Sequence, residues 1–404
     1  MLAEQIAGVR NDSSRITSDT RAESGYHIAL AHDWLVGMRG GERVLDRLAR
    51  LFGPTDLYTM VHDRTLSHTP AIDACTIHTS FMQRWPSGAG HLRRWYLPLY
   101  PRAVETLRIP PRRFDLLIST SSALIKSIKP PVDADGRTIP HLCYCHTPPR
   151  YLWDQRDDYA GRNLTGKLRI AGLIASGARL REYDRRTSSR ITAFIANSTH
   201  TAKRIKRVYH RDAEVVHPPV DVEFFTGDPS VKRESFFLVV SALEPYKRID
   251  LAVIAAIQAG VQLRIAGGGS QFANLKHLAG NAQNIEFLGP KNQTDLRNLY
   301  RRARALLFPG MEDFGIVPVE AMACGCPVVA FDQGGSEDWM ADGCGLTFDQ
   351  QSSDALNHAI HRFKNELTSD AEKCRTNALR FASQKFDNEI SEIVRRVVAE
   401  SRIK

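Results

Sequence analysis

Short apolar segments of strand length alternate with amphipathic segments of helix length along most of the chain. The first half carries the apolar segments YHIALAHDW, DLYTMVH, FDLLIST, HLCYCHT and AFIANS, and the pattern restarts with FFLVVSAL, VQLRIAG, IEFLG, ALLFP, PVVAF and GLTFD. Such alternation is typical of parallel sheets covered by helices. Its two runs predict an α/β protein built from two Rossmann-like domains.

The breaks in this pattern predict the domain boundaries. Residues 1–24 carry acids, arginines and hydroxyls without an apolar run, so they are interpreted as a mobile extension and not as a signal peptide. The consecutive prolines of HPPVD oppose both a helix and a central strand and predict a linker. The two domains are therefore expected at 25–217 and 218–387. Residues 388–404 predict an amphipathic helix with no strand after it, which can pack back on the N-terminal domain.

Composition narrows the class of protein and its compartment. The chain has 404 residues, of which 43% are hydrophobic, so it can bury cores for more than one domain. The longest apolar run is far shorter than the roughly 20 residues that span a bilayer. Seven cysteines, an odd number in apolar contexts, argue against a disulfide framework and for a reducing compartment. A cytoplasmic protein is expected.

The net charge of +9 predicts an anionic partner. The segment 84–113 interleaves seven arginines with tryptophan and tyrosine, and includes Arg84, Arg93, Arg94 and Trp95. Arginine binds lipid phosphate and aromatic rings settle at the bilayer interface, so an anionic membrane surface suits this segment. Single-stranded nucleic acid would suit the same chemistry, and a solvated basic surface is the third interpretation.

Two glutamates flank a short apolar run in MEDFGIVPVEAMACGCPVV. The preceding ALLFP predicts a buried strand, Pro318 a helix start and Gly325 the helix end. Glu312 is then expected at the carboxyl end of the strand, where open α/β sheets bind ligands, and Glu320 in the first helical turn. The alternative is that Glu320 only offsets the helix dipole while Glu312 is a solvated loop residue.

Glycines and cations follow other predicted strands. Gly40 and Gly41 open the first helix and can bring backbone N–H groups against a phosphate. Lys247 and Arg248 follow FFLVVSAL and can neutralise a diphosphate, although each can also be a surface charge. His146 follows an apolar strand and either binds a sugar hydroxyl or caps the next turn. The glycines of IAGGGSQF lack the third glycine of a dinucleotide fingerprint, so NAD is not expected.

A metal ion is not expected. Asp133 and Asp135 form the Asp-x-Asp pattern of metal-dependent sugar transferases, but they lie between prolines and a glycine and predict a surface turn. The two Cys-x-Cys pairs lack the spacing of zinc turns. A diphosphate leaving group must then be stabilised by basic side chains and backbone N–H groups.

Six ordered motifs, spread from Tyr26 to Val329, together resemble a known family. They are AHDWLVGMRGGERVLD, CYCHTPPRYLWD, FIANS, HPPVD, LVVSALEPYKRIDLAV and LFPGMEDFGIVPVEAM. The set resembles the retaining glycosyltransferases of family 4 and, more narrowly, the WbaZ-like GDP-mannose-dependent mannosyltransferases of bacterial polysaccharide assembly. The resemblance implies the GT-B fold, in which the two parallel sheets face a central cleft.

The resemblance also implies roles for the charged residues. Glu312, His146 and Lys247 would form the catalytic set, with Glu312 and His146 near the donor sugar. Glu320 would bind the nucleotide ribose, and Lys247 with Arg248 would bind the diphosphate. Many family members have an arginine at the position of Ala242, so Arg248 is expected to neutralise the second phosphate.

Backbone groups and one hydroxyl complete the implied donor site. Gly40 and Gly41 would approach the phosphates, the apolar turn of Phe314, Gly315 and Ile316 would aim N–H groups at them, and Ser198 would support the site. The implied reaction moves mannose from GDP-mannose, without a metal, to a polyprenyl-diphosphate-linked oligosaccharide. Such an enzyme would bind peripherally to the inner face of the cytoplasmic membrane through its N-terminal half, and no nucleic acid is expected.

Two other functions are left open by the residues. The same fold can use another nucleotide sugar, such as UDP-glucose. A non-catalytic protein that binds nucleotide sugars or nucleic acid is the alternative outside the enzymes.

Overall fold

Two parallel sheets, each with helices on both faces, make up the structure, which is a computed structural model. It describes residues 25–66, 68–85, 96–111, 113–154, 177–365 and 370–403. The predicted extension at 1–24 and the predicted contacts Arg93, Arg94 and Trp95 lie outside the described residues. The predicted fold class, two Rossmann-like domains with parallel sheets, is confirmed.

The N-terminal sheet has seven described strands in the order β3-β2-β1-β4-β5-β6-β7, and every neighbouring pair is parallel. The strands are β1 (Ile28–His32), β2 (Asp56–Thr59), β3 (Thr76–Thr79), β4 (Leu116–Ser121), β5 (His141–Cys145), β6 (Ala193–Ala196) and β7 (Ala213–Val215). The central strands are buried along their whole length. That burial explains why they are apolar runs and not alternating ones.

The C-terminal sheet has six described strands in the order β10-β9-β8-β11-β12-β13, again all parallel. They are β8 (Phe237–Val240), β9 (Leu263–Ala266), β10 (Ile285–Gly289), β11 (Ala305–Phe308), β12 (Val328–Phe331) and β13 (Gly345–Phe348). Alternate residues of these strands enter different cores. Leu306 and Val328 pack on one face, whereas Leu307 and Val329 pack on the other.

Helices follow most strands and cover the two faces of each sheet. They are α1 (Gly40–Phe52), α2 (Pro70–Asp73), α3 (Tyr100–Thr106), α4 (Arg150–Trp153), α5 (Thr199–Tyr209), α6 (Ile249–Gln258), α7 (Phe272–Ala279), α8 (Gln293–Arg302), α9 (Ile316–Ala323), α10 (Ser336–Trp339), α11 (Ser353–Asn365), α12 (Ala371–Leu379) and α13 (Ser383–Ile403). Residues 177–187 are also helical. Short 3-10 turns lie at Phe81–Arg84, Ile125–Ser127, Ser188–Arg190 and Pro245–Lys247.

The last helix returns to the N-terminal domain. Its residues Phe386, Ile390 and Val394 belong to the same core cluster as Leu30 and Leu142 of the N-terminal sheet. The side chain of Asp387 is paired with Arg47 on α1. Helix α13 begins at Ser383, before the start predicted at residue 388, and the other predicted domain boundaries stay predictions.

The chain crosses between the two sheets at two adjacent places. The linker residue Val220 forms a parallel bridge with Ala382, just before α13, and the Val220 N–H donates to the carbonyl of Phe381 at 3.0 Å. The two crossings are therefore held side by side.

The structure bears on the cysteines and on the search for membrane-spanning helices. All seven cysteines are buried and unpaired. No described helix combines the length and the apolar composition needed to cross a bilayer.

Candidate active site

The carboxyl ends of β8 and β11 lie side by side, and the loops that follow them carry Lys247 and Glu312. The strand order reverses between β8 and β11, which is the point where open α/β sheets bind ligands. Lys247 Nζ forms an ion pair with Glu312 Oε1. Gly310 permits this approach, because a Cβ there would lie 2.8 Å from the carbonyl oxygen of Lys247. Two of the three residues predicted to be catalytic are thus in contact.

The glycine pair of DQGGSED holds the Glu312 loop in place. The N–H of Gly335 donates to the carbonyl of Glu312 at 2.8 Å. Gly334 has a φ of 85°, and a Cβ on it would lie 2.2 Å from that same carbonyl oxygen. A Cβ on Gly335 would lie 2.1 Å from the carbonyl oxygen of Phe314. These glycines therefore serve close backbone packing behind the site.

Helix α9 starts earlier than the sequence predicted. Gly315, with a φ of 87°, stands just before the helix, and Ile316 is its first residue, so the predicted start at Pro318 is wrong. The helix ends at Ala323 and Gly325 follows with a φ of 73°. Glu320 consequently lies beyond the first turn, and no acid lies in that turn. The interpretation of Glu320 as a residue that offsets the dipole of the first turn loses its basis.

Phe314 anchors the loop instead of facing a cleft. Its side chain is 3% exposed, stacks on His217 with ring centroids 5.5 Å apart, and packs against Phe381 at 5.5 Å. Its carbonyl accepts a hydrogen bond from Trp339 Nε1 at 2.7 Å. A donor contact at Phe314 is therefore left to its backbone.

Glu320 is buried between the two domains. It is 2% exposed, and its carboxylate accepts hydrogen bonds from Arg43 Nη1 on α1 and from the Tyr300 hydroxyl, the latter at 3.1 Å. Burial raises the pKa of Glu320, and the positive charge of Arg43 acts against that rise. No local pattern in the sequence indicates that a residue of the first domain reaches this carboxylate.

The start of α1 meets the start of α9. A Cβ on Gly40 would lie 3.3 Å from Ile316 Cδ1, so the two helix starts approach each other closely at this glycine. A Cβ on Gly41 would lie 3.4 Å from His146 Nε2 and 3.5 Å from His32 Cε1. The structure therefore brings together four predicted site residues, Gly40, Gly41, His146 and Ile316.

His146 offers an unused ring nitrogen at this junction. Its Nε2 is covered by protein and has no hydrogen-bond partner among the described residues. Burial, followed by the nearby His32, lowers the pKa of His146 to about 4. The imidazole is therefore neutral near pH 7 and can exchange a hydrogen bond with a ligand hydroxyl.

A buried ion-pair network crosses between the domains next to Glu312. Asp313 accepts hydrogen bonds from Arg150 Nε at 3.0 Å and from Arg204 Nη1 at 2.6 Å, and Arg204 also pairs with Asp154. Burial acts to raise the pKa of Asp313, but Arg150 and Arg204 outweigh it and lower the pKa. Sequence reasoning missed this network, although Arg204 shares the buried face of α5 with Ile205, a position that normally takes an apolar residue.

Three other predicted residues lie elsewhere or are engaged otherwise. Arg248 has a φ of 52° and directs its guanidinium to Asp250 on its own helix, with Nε and Nη2 each 3.2 Å from a carboxylate oxygen. Ser198 caps α5, where its Oγ accepts from the Thr201 N–H at 3.0 Å. Arg84 is exposed in the turn after β3.

Candidate metal ligands are not grouped in the part of the chain that the structure describes. No cluster of three or more His, Cys, Asp or Glu residues there could hold an ion. Asp133 Oδ1 accepts the N–H groups of Asp135 at 2.9 Å and Arg137 at 2.8 Å, so this Asp-x-Asp pattern closes a turn. Metal independence stays a prediction.

The C-terminal part of the chain matches a known family. Residues 223–381 match the family described as glycosyl transferases group 1, so the chain contains a domain of that group. A D-inositol 3-phosphate glycosyltransferase of Mycolicibacterium gilvum is 38% identical over 171 residues. That similarity covers 37% of this chain and 39% of the relative, well under two thirds of its length.

Solved structures share the fold over nearly the whole chain. A sucrose-phosphate synthase of Thermosynechococcus elongatus gives a TM-score of 0.68 at 16% identity, covering 92% of this chain and 99% of the other. Anabaena Alr3699/HepE in complex with UDP gives a TM-score of 0.62 at 16% identity, covering 92% of this chain and 100% of the other. The fold is therefore the GT-B fold that the motif resemblance implied.

Proposed function

We propose that this chain, with its group 1 glycosyl transferase domain, is a retaining glycosyltransferase that moves mannose from GDP-mannose to a polyprenyl-diphosphate-linked oligosaccharide. One observation carries the proposal: Lys247 and Glu312 are paired at the reversal point of the C-terminal sheet, and the loop of Glu312 leads into the start of α9, which abuts α1. A cation, a carboxylate and two helix starts are then available to one ligand, which suits a sugar diphosphate.

The chemistry of these groups supports transfer from a nucleotide sugar. In the reaction, a hydroxyl oxygen of the acceptor bonds to the anomeric carbon while the bond from that carbon to the phosphate oxygen breaks. The leaving diphosphate gains negative charge, which Lys247 and the N–H groups at the start of α9 stabilise. Attack from the face of the departing phosphate lets that phosphate take the hydroxyl proton and retains the configuration. Glu312 stabilises the positive charge of the sugar, and His146 binds one of its hydroxyls.

The lipid-linked acceptor and the membrane are proposed from the motif resemblance and the surface of the N-terminal domain. Arg84 and Trp85 are both exposed after β3, with Trp85 at 40%. Exposed arginine beside exposed tryptophan suits the headgroup layer of an anionic membrane. We therefore place the enzyme on the inner face of the cytoplasmic membrane, without a spanning segment of its own among the described helices.

Ligand binding and product formation test the proposal in two steps. A thermal-shift panel of GDP, UDP and ADP, each with and without EDTA, should show stabilisation by GDP that EDTA does not remove. Incubation with GDP-mannose and a polyprenyl-diphosphate oligosaccharide should then add one hexose to the acceptor, read by mass spectrometry. Absence of any nucleotide effect, or loss of binding in EDTA, would refute the proposed donor site.

A second donor is worth a separate arm, because the Anabaena structure was solved with UDP. If UDP stabilises the chain more than GDP does, and hexose is transferred from UDP-glucose, the donor assignment changes while the reaction type stands. Binding of a nucleotide without transfer to any acceptor would favour the non-catalytic alternative.

A further inference from the structure

We propose that Arg43, on the N-terminal domain, is a positioning residue for the donor: it holds the Glu320 carboxylate ready to accept the ribose hydroxyls of the nucleotide. The ribose site is then a composite of both domains. This inference rests on the proposed function and adds to it a residue that the sequence did not mark.

The hydrogen bonds of Glu320 use only part of the acceptor capacity of its carboxylate. One oxygen accepts from Arg43 Nη1 and the other from the Tyr300 hydroxyl at 3.1 Å. An ionised carboxylate has roughly four acceptor positions on its two oxygens, so about two remain for a pair of ribose hydroxyls. Arg43 and the ribose can therefore bind the same carboxylate together.

Among the charges around Glu320, that of Arg43 favours the ionised carboxylate. Glu320 faces Arg43 on α1, Tyr300 on α8, Asp221 in the linker and Cys324 at the end of its own helix. Burial raises the pKa of Tyr300 well above its usual value and that of Cys324 to about 12, so both are neutral. Asp221 is an acid and disfavours a second negative charge. In this set the charge and the hydrogen bond of Arg43 act most strongly toward the ionised form of Glu320, and the hydrogen bond from Tyr300 acts in the same direction, whereas burial favours the protonated form.

The pair also links ribose binding to contact between the domains. Arg43 follows Gly40 and Gly41 on α1, and Gly40 abuts Ile316 at the start of α9. When the two domains separate, Glu320 loses its counter-ion. Arg248, the cation expected from the sequence to complete the donor site, is paired with Asp250 instead.

The test compares Arg43→Ala and Arg43→Lys with a matched control on the same helix. Arg47 lies one turn further on, pairs with Asp387 on α13, and supplies the control Arg47→Ala. Binding of GDP, UDP and their 2′-deoxy forms is measured by calorimetry on the full chain between about pH 5 and about pH 8.

We expect Arg43→Ala to bind the ribonucleotide roughly 10- to 100-fold more weakly near neutral pH, the range for loss of a charged hydrogen-bond partner. The loss should grow as the pH falls. Without its counter-ion Glu320 has a higher pKa and therefore becomes protonated at a higher pH than in the wild type. The variant should also discriminate less against the 2′-deoxy form. Arg43→Lys keeps the charge and should retain most of the affinity, whereas Arg47→Ala should bind like the wild type. In Glu320→Gln the pH dependence should disappear.

Three results, obtained with Arg43→Ala or the wild type, would overturn the inference. The first is unchanged binding by Arg43→Ala. The second is a loss that is equal for ribose and deoxyribose forms and constant with pH, because Arg43 would then only hold the domains together. If Arg43→Ala does not fold, Arg43→Lys decides. Unchanged ribose discrimination by Arg43→Lys, with an unchanged pH dependence of binding, supports the inference. Complete loss of ribose discrimination in Arg43→Lys opposes it. A wild type that binds neither GDP nor UDP is the third, and it removes the proposed function at the same time.

Discussion

Replacing Asp313 by asparagine should weaken the association of the two domains more than any exposed cross-domain pair does. Asp313 is 8% exposed and Arg204 is 7% exposed, so the substitution leaves a buried guanidinium with one partner fewer. Breaking a buried ion pair by removing one member typically costs about 3–5 kcal/mol. Arg204 keeps its pairing with Asp154, and asparagine still offers a carbonyl oxygen. We therefore expect about 3 kcal/mol, the lower end of that range.

The pH dependence of this effect has a defined sign. The pKa of Asp313 has a usual value of 3.8 and is lowered in the folded chain. Its ion pairs therefore contribute stability above the usual value, and this contribution is lost as the pH falls through the lowered folded pKa. The difference between wild type and Asp313→Asn should be constant between about pH 5 and about pH 8 and should shrink below about pH 4.

The assay is urea unfolding followed by tryptophan fluorescence and circular dichroism. Glu337→Gln is the matched control, since Glu337 also pairs across the domains, with Lys203 Nζ at 2.8 Å, but both side chains are exposed. Exposed pairs contribute about 0–1 kcal/mol, so this control should unfold like the wild type. Equal midpoints for Asp313→Asn and Glu337→Gln would refute the argument that burial sets the strength of the pairs.

Three further substitutions test the site and its support. Glu312→Gln should lower kcat by about 100-fold or more, the effect of removing one group that stabilises charge in a transition state, with the melting temperature little changed; near-normal turnover would contradict its assigned role. Gly335→Ala places a methyl group against the Phe314 carbonyl and should cost about 1–3 kcal/mol of unfolding free energy, whereas an unchanged denaturation midpoint would show that the loop moves freely. Asp184→Asn removes the counter-ion of the buried Lys126, whose Nζ lies 2.7 Å from the Asp184 carboxylate, and should cost about 3–5 kcal/mol in the same measurement. A smaller loss than for Gly335→Ala would oppose this ranking.

The local sequence pattern was sufficient to predict the fold and the half of the site that lies in the C-terminal domain. Strands such as β11 are short, apolar and buried on both faces, which makes them visible in the sequence. The unit of strand, loop and helix that carries Glu312 and Glu320 is local as well, and so is the placement of Lys247 after β8. Pro318 predicts a start of α9 that is two residues too late, because Gly315 and its positive φ set the start at Ile316.

Contacts between distant residues could not be predicted in the same way. Arg43 and Glu320 are 277 positions apart, and nothing in the local pattern around either residue indicates the other. The charge of Arg248 and its position next to Lys247 predict a diphosphate ligand. Its backbone is left-handed, however, and its side chain pairs with Asp250. Which cation reaches a carboxylate across a cleft depends on how two domains meet.

The return of α13 to the N-terminal core has a consequence for synthesis. Domains generally fold in the order in which they leave the ribosome. Phe386, Ile390 and Val394 fill the core around Leu30, so the first domain to be translated lacks part of its interior until the final helix emerges. The nascent N-terminal half therefore exposes apolar surface to water while the C-terminal half is synthesised. Premature termination before Ser383 would leave a folded C-terminal domain attached to an aggregation-prone one.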